Sequence, residues 1–294
     1  MILVTGAAGL TGSQIIRQLC GRHVPARALV RDPSRASALA TLPGVEVVTG
    51  DLGRPETLSQ ALAGVERAVL ISSADAAMAQ VQSSFIDAAA DAGVSHVVKL
   101  SGIMPALGSP FRFARMHGEI EQHLAASGMT YTILRAGEFM QAYFRQVPNI
   151  VTRQALLLPM ADQRIASIDI TDIAAVAVRV LTEPAHDGQT YPITGPQALT
   201  MSEVAEILSD VTGTAIRYID TDPKAARQAQ VSAGMSPYLA DALAELYAER
   251  RAGKESHVSP VTAALLGRPP TSFAEFAERN AATFQGQQTA TAAG

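Results

Sequence analysis

Along the first half of the chain, short apolar runs alternate with longer stretches whose apolar residues recur every three or four positions. The runs Ile2–Thr5, Pro25–Val30, Val45–Val48, Ala68–Ser72, His96–Leu100 and Thr130–Leu134 read as six strands. Helical periodicity falls between them over Ser13–Cys20, Pro33–Ala40, Pro55–Ala63, Ala76–Ala92 and Phe111–Ala126. Asp32 before Pro33 marks a helix start, with Asp32 as cap and Pro33 in the first helical position. Each helix is long enough to cross over a parallel sheet. The expected architecture is therefore α/β: a doubly wound parallel-sheet Rossmann fold with helices on both faces.

Beyond residue 134 the pattern is less regular. Strands are expected at Ala155–Leu158, Ile165–Ile168, Thr190–Thr194 and Ile216–Asp220. A helix is expected over Ile173–Leu181, and Thr200 with Glu203 forms a capping box that opens another. Asp222–Pro223 starts a helix over 223–233, a further one runs 237–251, and Ser272 with Glu275 opens the last. The implied organisation is a nucleotide-binding core over 1–150 and a smaller C-terminal α/β substrate region over 151–285. A tail over 286–294 is rich in Gln, Thr, Ala and Gly and is expected to be disordered. The strand near 190–194 is able to rejoin the sheet. No internal repeat or coiled coil is present.

Composition narrows the function. At 294 residues and 48% apolar, the chain can bury a sizeable core. The net charge of −4 and the absence of a basic run argue against a nucleic-acid partner. No apolar run reaches membrane-spanning length. Met1 leads directly into the first strand, with no charged leader of the signal-peptide kind. Cys20 is the one cysteine, so no internal disulfide can form; a reducing, cytoplasmic setting fits, with Cys20 as a small core residue. The expected partner is a small molecule, and the expected state a monomer or homodimer.

Ligands on doubly wound sheets lie beyond the carboxyl ends of the strands. The first such end reads Gly6–Ala7–Ala8–Gly9–Leu10–Thr11–Gly12, between a strand and a helix. Gly6 permits the tight turn, Gly9 lets a pyrophosphate approach the backbone at the helix N-terminus, and Gly12 allows close helix–strand packing. The other strand ends supply Arg31, Asp51, Leu52, Ser72, Ser73, Ser101 and Gly102. Arg31 follows the second strand directly and Arg35 lies one helical turn on. Two guanidinium groups suit a 2′-phosphate, and Asp32 is better explained as a cap than as a ribose ligand. NADP is thus favoured over NAD.

The usual short-chain dehydrogenase proton relay, Tyr and Lys four residues apart, is missing. No tyrosine occurs between residues 73 and 130, and the lysines are Lys99, Lys224 and Lys254. Phe113 and His117 hold the four-residue spacing, but phenylalanine transfers no proton. His117 and His123 face different ways on a helix, so no zinc site is expected. Ser101 and Ser109 lie outside any nucleophile elbow, which argues against a hydrolase.

Several segments carry a resemblance: the loop 6–12, Leu29–Asp32, Gly50–Leu52, Ala92–His96, Ser101–Gly102, Leu134–Met140, Asp169–Ala175 and Tyr191–Pro196. Over nearly its whole length the chain resembles the NmrA-like atypical short-chain dehydrogenases, closest to the bacterial NAD(P)H azoreductase, triphenylmethane reductase and quinone oxidoreductase branch. The resemblance implies a Rossmann core, NADPH as cofactor, a smaller C-terminal substrate region, and a catalytic or substrate-positioning role for His117. Where the family often reads Pro-Gly-Phe with Asn shortly after, this chain has Ala136, Gly137, Glu138 and Ala142, which bears on the pocket's shape and polarity.

Strongly electron-poor acceptors need little acid catalysis, so quinones, azo compounds and triarylmethane dyes fit a site without that tyrosine. Met104, Phe113, Phe139, Met140 and Tyr143 are the expected pocket walls, with Phe111 and Phe144 as further candidates. The helices near Met235 and Tyr238 would form a lid. The rival expectation is an NADP(H)-binding redox sensor that does not turn over. An epimerase or dehydratase is disfavoured by the missing tyrosine.

Overall fold

In the computed structural model, which describes residues 1–287, the strands are β1 (Ile2–Val4), β2 (Ala26–Val30), β3 (Val45–Thr49), β4 (Arg67–Leu70), β5 (His96–Gly102), β6 (Thr130–Ala136), β7 (Ala155–Leu158), β8 (Gln189–Ile193) and β9 (Arg217–Asp220). Seven of them form one sheet in the order β3-β2-β1-β4-β5-β6-β8, with every neighbouring pair parallel. β7 and β9 pair in a separate parallel ribbon. Val, Ile, Leu and Ala dominate the inner strands because both sheet faces are covered.

One face carries the helices α1 (Leu10–Gly21), α2 (Ser37–Ala40) and, from much later in the chain, α7 (Ile170–Thr182). The other carries α3 (Ser59–Leu62), α4 (Met78–Asp91) and α5 (Arg112–Ala126). Ile15, Ile16 and Leu19 of α1 are sealed beneath the sheet, each worth roughly 1.5–3 kcal/mol of burial. Residues 170–193 thus return to the sheet layer, and β8 extends it beside β6.

The C-terminal region builds its own core, with Tyr143, Leu156, Met201, Phe273, Phe276 and Phe284 among its members. Its helices are α6 (Val147–Arg153), α8 (Met201–Thr212), α9 (Pro223–Ser232), α10 (Pro237–Arg251), α11 (Val261–Leu266), α12 (Phe273–Arg279) and α13 (Ala281–Phe284). The caps form as their sequences dictate. Asp32 accepts from the Ser34 amide, Thr200–Glu203 and Ser272–Glu275 close reciprocal boxes, and Asp222 accepts from the Lys224 and Ala225 amides.

Some expectations need correction. Ile165–Ile168 is not a strand; only isolated bridges from Ile165 to Leu199 and from Ile168 to Phe139 occur there. The stretches 33–40 and 55–63 each begin as a 3-10 turn and become α-helical only at their ends, too short to cover the sheet alone. Met140–Gln146 is a 3-10 run leading into α6, and neither it nor α11 has a cap signature in the sequence. Of the tail expected over 286–294, residues 288–294 lie outside the described part.

Two buried carboxylates join the late segments to the sheet layer. Asp169 caps α7, accepts from Gln141 and pairs with Arg279 of α12. Asp172, in the first turn of the same helix, pairs with Arg268 and accepts from the Thr271 amide. Both carboxylates are fully buried, and each depends on a late arginine for its counter-charge.

Candidate functional site

β1 and β4 are neighbours although they are not consecutive, with β2 and β3 to one side. This is the strand-order reversal beyond which a doubly wound sheet opens a crevice. Thr5 closes the seam there: its hydroxyl donates to the Ile71 carbonyl at 2.7 Å and accepts from the Ile71 amide at 2.8 Å. The chain then turns through Gly6, whose φ of +59° a side chain would disfavour and whose Cβ would meet the Ile71 carbonyl oxygen at 3.0 Å. Gly9 is the N-cap of α1, makes no side-chain cap bond, and no acid occupies the first turn. The positive end of that helix is left bare, which suits a phosphate. Within the same loop Ala8 and Leu10 are half-buried, and Thr11 is buried.

Arg31 and Arg35 are both exposed, and among the described residues neither forms an ion pair. The Asp32 carboxylate between them accepts from both the amide and the hydroxyl of Ser34, bonds that hold its pKa below the usual value. Asp32 is thereby occupied as a cap, while two guanidinium groups stand free beside it. A phosphorylated ribose fits this arrangement better than a bare one. At the end of β3, the Asp51 carboxylate accepts from the Gly53 amide within its own turn, and Leu52 is half-buried. At the end of β4, Ser72 accepts from the buried Gln82 amide at 2.8 Å, and Ser73 is exposed. Gln82 Oε1 has no partner.

β5 contributes a polar column inside an apolar interface. Val97, Lys99 and Ser101 share the face that α5 covers, one strand residue in two. Ser101 Oγ donates to Glu121 Oε1 at 2.6 Å, and Arg135 of β6 grips the same carboxylate at 2.6 Å. The Ser101 hydroxyl therefore faces Glu121. Lys99 is fully buried; its ammonium donates to the Leu100 carbonyl at 2.8 Å and lies 3.3 Å from His117 Nδ1. The His117 ring covers Gly102, where a Cβ would meet Cδ2 at 3.0 Å and Nε2 at 3.5 Å. Glycine at 102 is what lets the imidazole reach the strand end. Burial, then the neighbouring Lys99, drives His117 well below its ordinary range, so the ring is neutral. Burial pulls Lys99 down to about 7 against the opposing pull of Glu121.

The expected pocket residues separate. Met104 and Phe139 are half-buried at the ends of β5 and β6. Phe113 lies in the sheet core, edge-on to Phe111 and Tyr238. Phe144 packs on Phe276 and Phe284. Met140 and Tyr143 line a cavity of ≈ 10 Å³ with Ser167 and Phe273. Tyr238 is pinned beneath Arg112, whose guanidinium sits 4.5 Å from the ring centre and chelates Glu245. α10 is thereby clamped to α5 at the position expected for a lid.

Sequence reasoning missed Lys99, although a lysine inside Val97–Val98–Lys99–Leu100 is a signal: a buried strand rarely tolerates a charge without a partner. It also missed Arg250. That side chain is buried between Glu138, at the end of β6, and Glu255, which it meets at 2.6 Å. Among the described residues no cluster of His, Cys, Asp or Glu could hold a metal, and no helix is long and apolar enough to cross a membrane.

A family model described as the NmrA-like family matches residues 1–277. The NAD(P)H azoreductase of Xenophilus azovorans is 40% identical over 97% of this chain and 99% of its own length. The crystal structure of the NADPH-dependent quinone oxidoreductase of Escherichia coli complexed with NADPH has a TM-score of 0.87 at 34% identity, covering 95% of this chain and 99% of that one. The Citrobacter sp. triphenylmethane reductase complexed with NADP(H) has a TM-score of 0.84 at 29% identity, covering 96% and 100%.

Proposed function

The chain belongs to the NmrA-like family, and from that premise we propose that it is an NADPH-dependent reductase passing hydride to an electron-poor acceptor of the quinone, azo or triarylmethane class. Bound NADPH supplies the hydride from its nicotinamide ring. The amides of the Gly6–Gly12 turn and the bare end of α1 hold the pyrophosphate. Arg31 and Arg35 hold the 2′-phosphate. Asp51, Leu52, Ser72 and Ser73 border the adenosine and ribose.

The observation that carries the reading is His117, stationed on Gly102 at the end of β5 with its Nδ1 3.3 Å from Lys99. That position is beyond the carboxyl end of a sheet strand, the side on which a doubly wound fold receives its ligand. From there His117 can donate a hydrogen bond to the oxygen or nitrogen that gains electron density as hydride arrives, while the proton that completes the reduction comes from water. Met104 and Phe139, half-buried just past the neighbouring ends of β5 and β6, are the proposed walls for a flat aromatic acceptor. The acceptors named delocalise the incoming charge, so one weak donor suffices in place of a tyrosine–lysine pair.

A second reading, a redox sensor that binds NADP(H) without turnover, is favoured by the missing tyrosine–lysine pair: Phe113 stands four residues before His117 and transfers no proton. NADPH absorbance, followed with a panel of quinones, azo dyes and triarylmethane dyes, separates the two. Consumption with at least one acceptor is expected. Tight NADPH binding with no consumption across the panel would leave only the sensor.

A further inference from the structure

The contact between Lys99 and His117 sets more than the position of a ring. We propose that Lys99, in its charged form, is a positioning residue that locks His117 in the tautomer with its hydrogen on Nε2, so that the imidazole faces the acceptor as a donor. This rests on the reading of His117 given above, and its test is chosen to fail separately from that reading.

Lys99 has no exposed surface, so its Nζ cannot turn to water. Two acceptors lie within reach, the Leu100 carbonyl at 2.8 Å and His117 Nδ1 at 3.3 Å. A carbonyl offers only lone pairs, so Nζ gives one hydrogen to Leu100 and has another for Nδ1. An ammonium carries three hydrogens, enough for both acceptors, and no lone pair, so the lock acts while Lys99 is charged. Were Nδ1 protonated instead, it would present a hydrogen to an ammonium with no acceptor to offer. The ring's only remaining proton position is Nε2, the edge that lies over Gly102.

The groups facing Lys99 support this assignment. On α5 these are His117 and Glu121; Arg135 of β6 stands behind Glu121 and grips it. The strand partners of Lys99 in register are Leu70 and Ile133, both apolar. Glu121 is held by Ser101 and Arg135 and leaves His117 to the lysine. The positive charge at Lys99 also opposes protonation of the ring, so His117 stays neutral where a free histidine would titrate.

The test is the tautomer itself, read from long-range proton–nitrogen correlations of the ¹⁵N-labelled full chain. The His117 signal is assigned by its loss in His117→Asn. In the wild-type protein the ring is expected to carry its hydrogen on Nε2 throughout the range in which an exposed histidine titrates. In Lys99→Met the ring is expected to populate both tautomers or to protonate within that range. Turnover of an accepted acceptor should fall about tenfold or more, with the Kd for NADPH changed less than about twofold. A wild-type hydrogen on Nδ1 would overturn the proposal without any variant having to fold. So would a Lys99→Met protein with an unaltered tautomer and unaltered turnover. If the tautomer is as stated but no acceptor is reduced, the tautomer lock stands and the reductase reading falls.

Discussion

Gly12 is packed so closely against Gly6 that a Cβ at residue 12 would overlap the Gly6 carbonyl oxygen and lie 2.9 Å from the Ala7 Cα. The contact is backbone on backbone, so no side chain can yield to relieve it. Gly12→Ala is therefore expected to destabilise the fold by about 1–3 kcal/mol and to open the turn. A lowered thermal midpoint, with NADPH affinity reduced at least tenfold, is the expected pair of results. Wild-type affinity in a titration of the alanine variant would show that the turn does not hold the cofactor.

Arg31 stands exposed at the end of β2 with its neighbour Asp32 held by Ser34. Arg31→Ala removes a charge-assisted contact to a 2′-phosphate worth about 1.5–3 kcal/mol. NADPH should bind about 10- to 100-fold more weakly, while NADH binding should scarcely change. Parallel titrations with the two coenzymes check this. Equal losses for both would remove Arg31 from the phosphate.

His117→Ala removes the donor at the end of β5 without touching the Gly6–Gly12 turn. Turnover is expected to fall about 100-fold, the lower end of what a positioned acid contributes, because these acceptors demand little protonation. NADPH affinity should be preserved. Steady-state rates with a quinone, together with a fluorescence titration, separate the two effects; unchanged turnover would make His117 a packing residue only.

Lys99 makes stability depend on pH. Burial lowers its folded-state pKa from 10.5 to about 7, so between those values the unfolded chain binds more protons than the folded one. Stability then rises as the pH increases from near 7 towards 10.5, and that gain is lost as the pH falls back through 7. Lys99→Met should abolish this contribution. Urea midpoints of both proteins across that interval should converge at the alkaline end; a constant gap between them would refute the assignment.

Arg250 neutralises two carboxylates, Glu138 and Glu255, with all three side chains largely buried. Arg250→Met leaves both acids without a counter-charge and is expected to cost about 3–5 kcal/mol in urea unfolding. Adding Glu138→Gln should recover part of that loss. No recovery would mean that Glu138 and Arg250 do not interact in solution.

How much of this was legible in the sequence depends on chain distance. Asp32–Pro33, Thr200–Glu203 and Ser272–Glu275 announce their caps because the bonded groups lie within three residues. The glycines at 6, 9 and 12 are readable for the same reason. Lys99 and His117 are eighteen residues apart on different elements, and only the docking of α5 on β5 brings them together. Glu138 was visible as a departure from the family pattern, but its partner Arg250 is on α10, and nothing local links the two. The short segments 33–40 and 55–63 misled because their apolar positions are too few to distinguish a 3-10 turn from a helix.

The pairing of Asp169 with Arg279 and of Asp172 with Arg268 ties the start of α7 to the C-terminal segments. On the ribosome, the strands and helices of the dinucleotide layer emerge long before either arginine has been synthesised. Without Arg268 and Arg279, α7 seated on α1 would hold two buried carboxylates with no counter-charge. The dinucleotide layer therefore takes its charge balance from segments far along the chain, at residues 268 and 279.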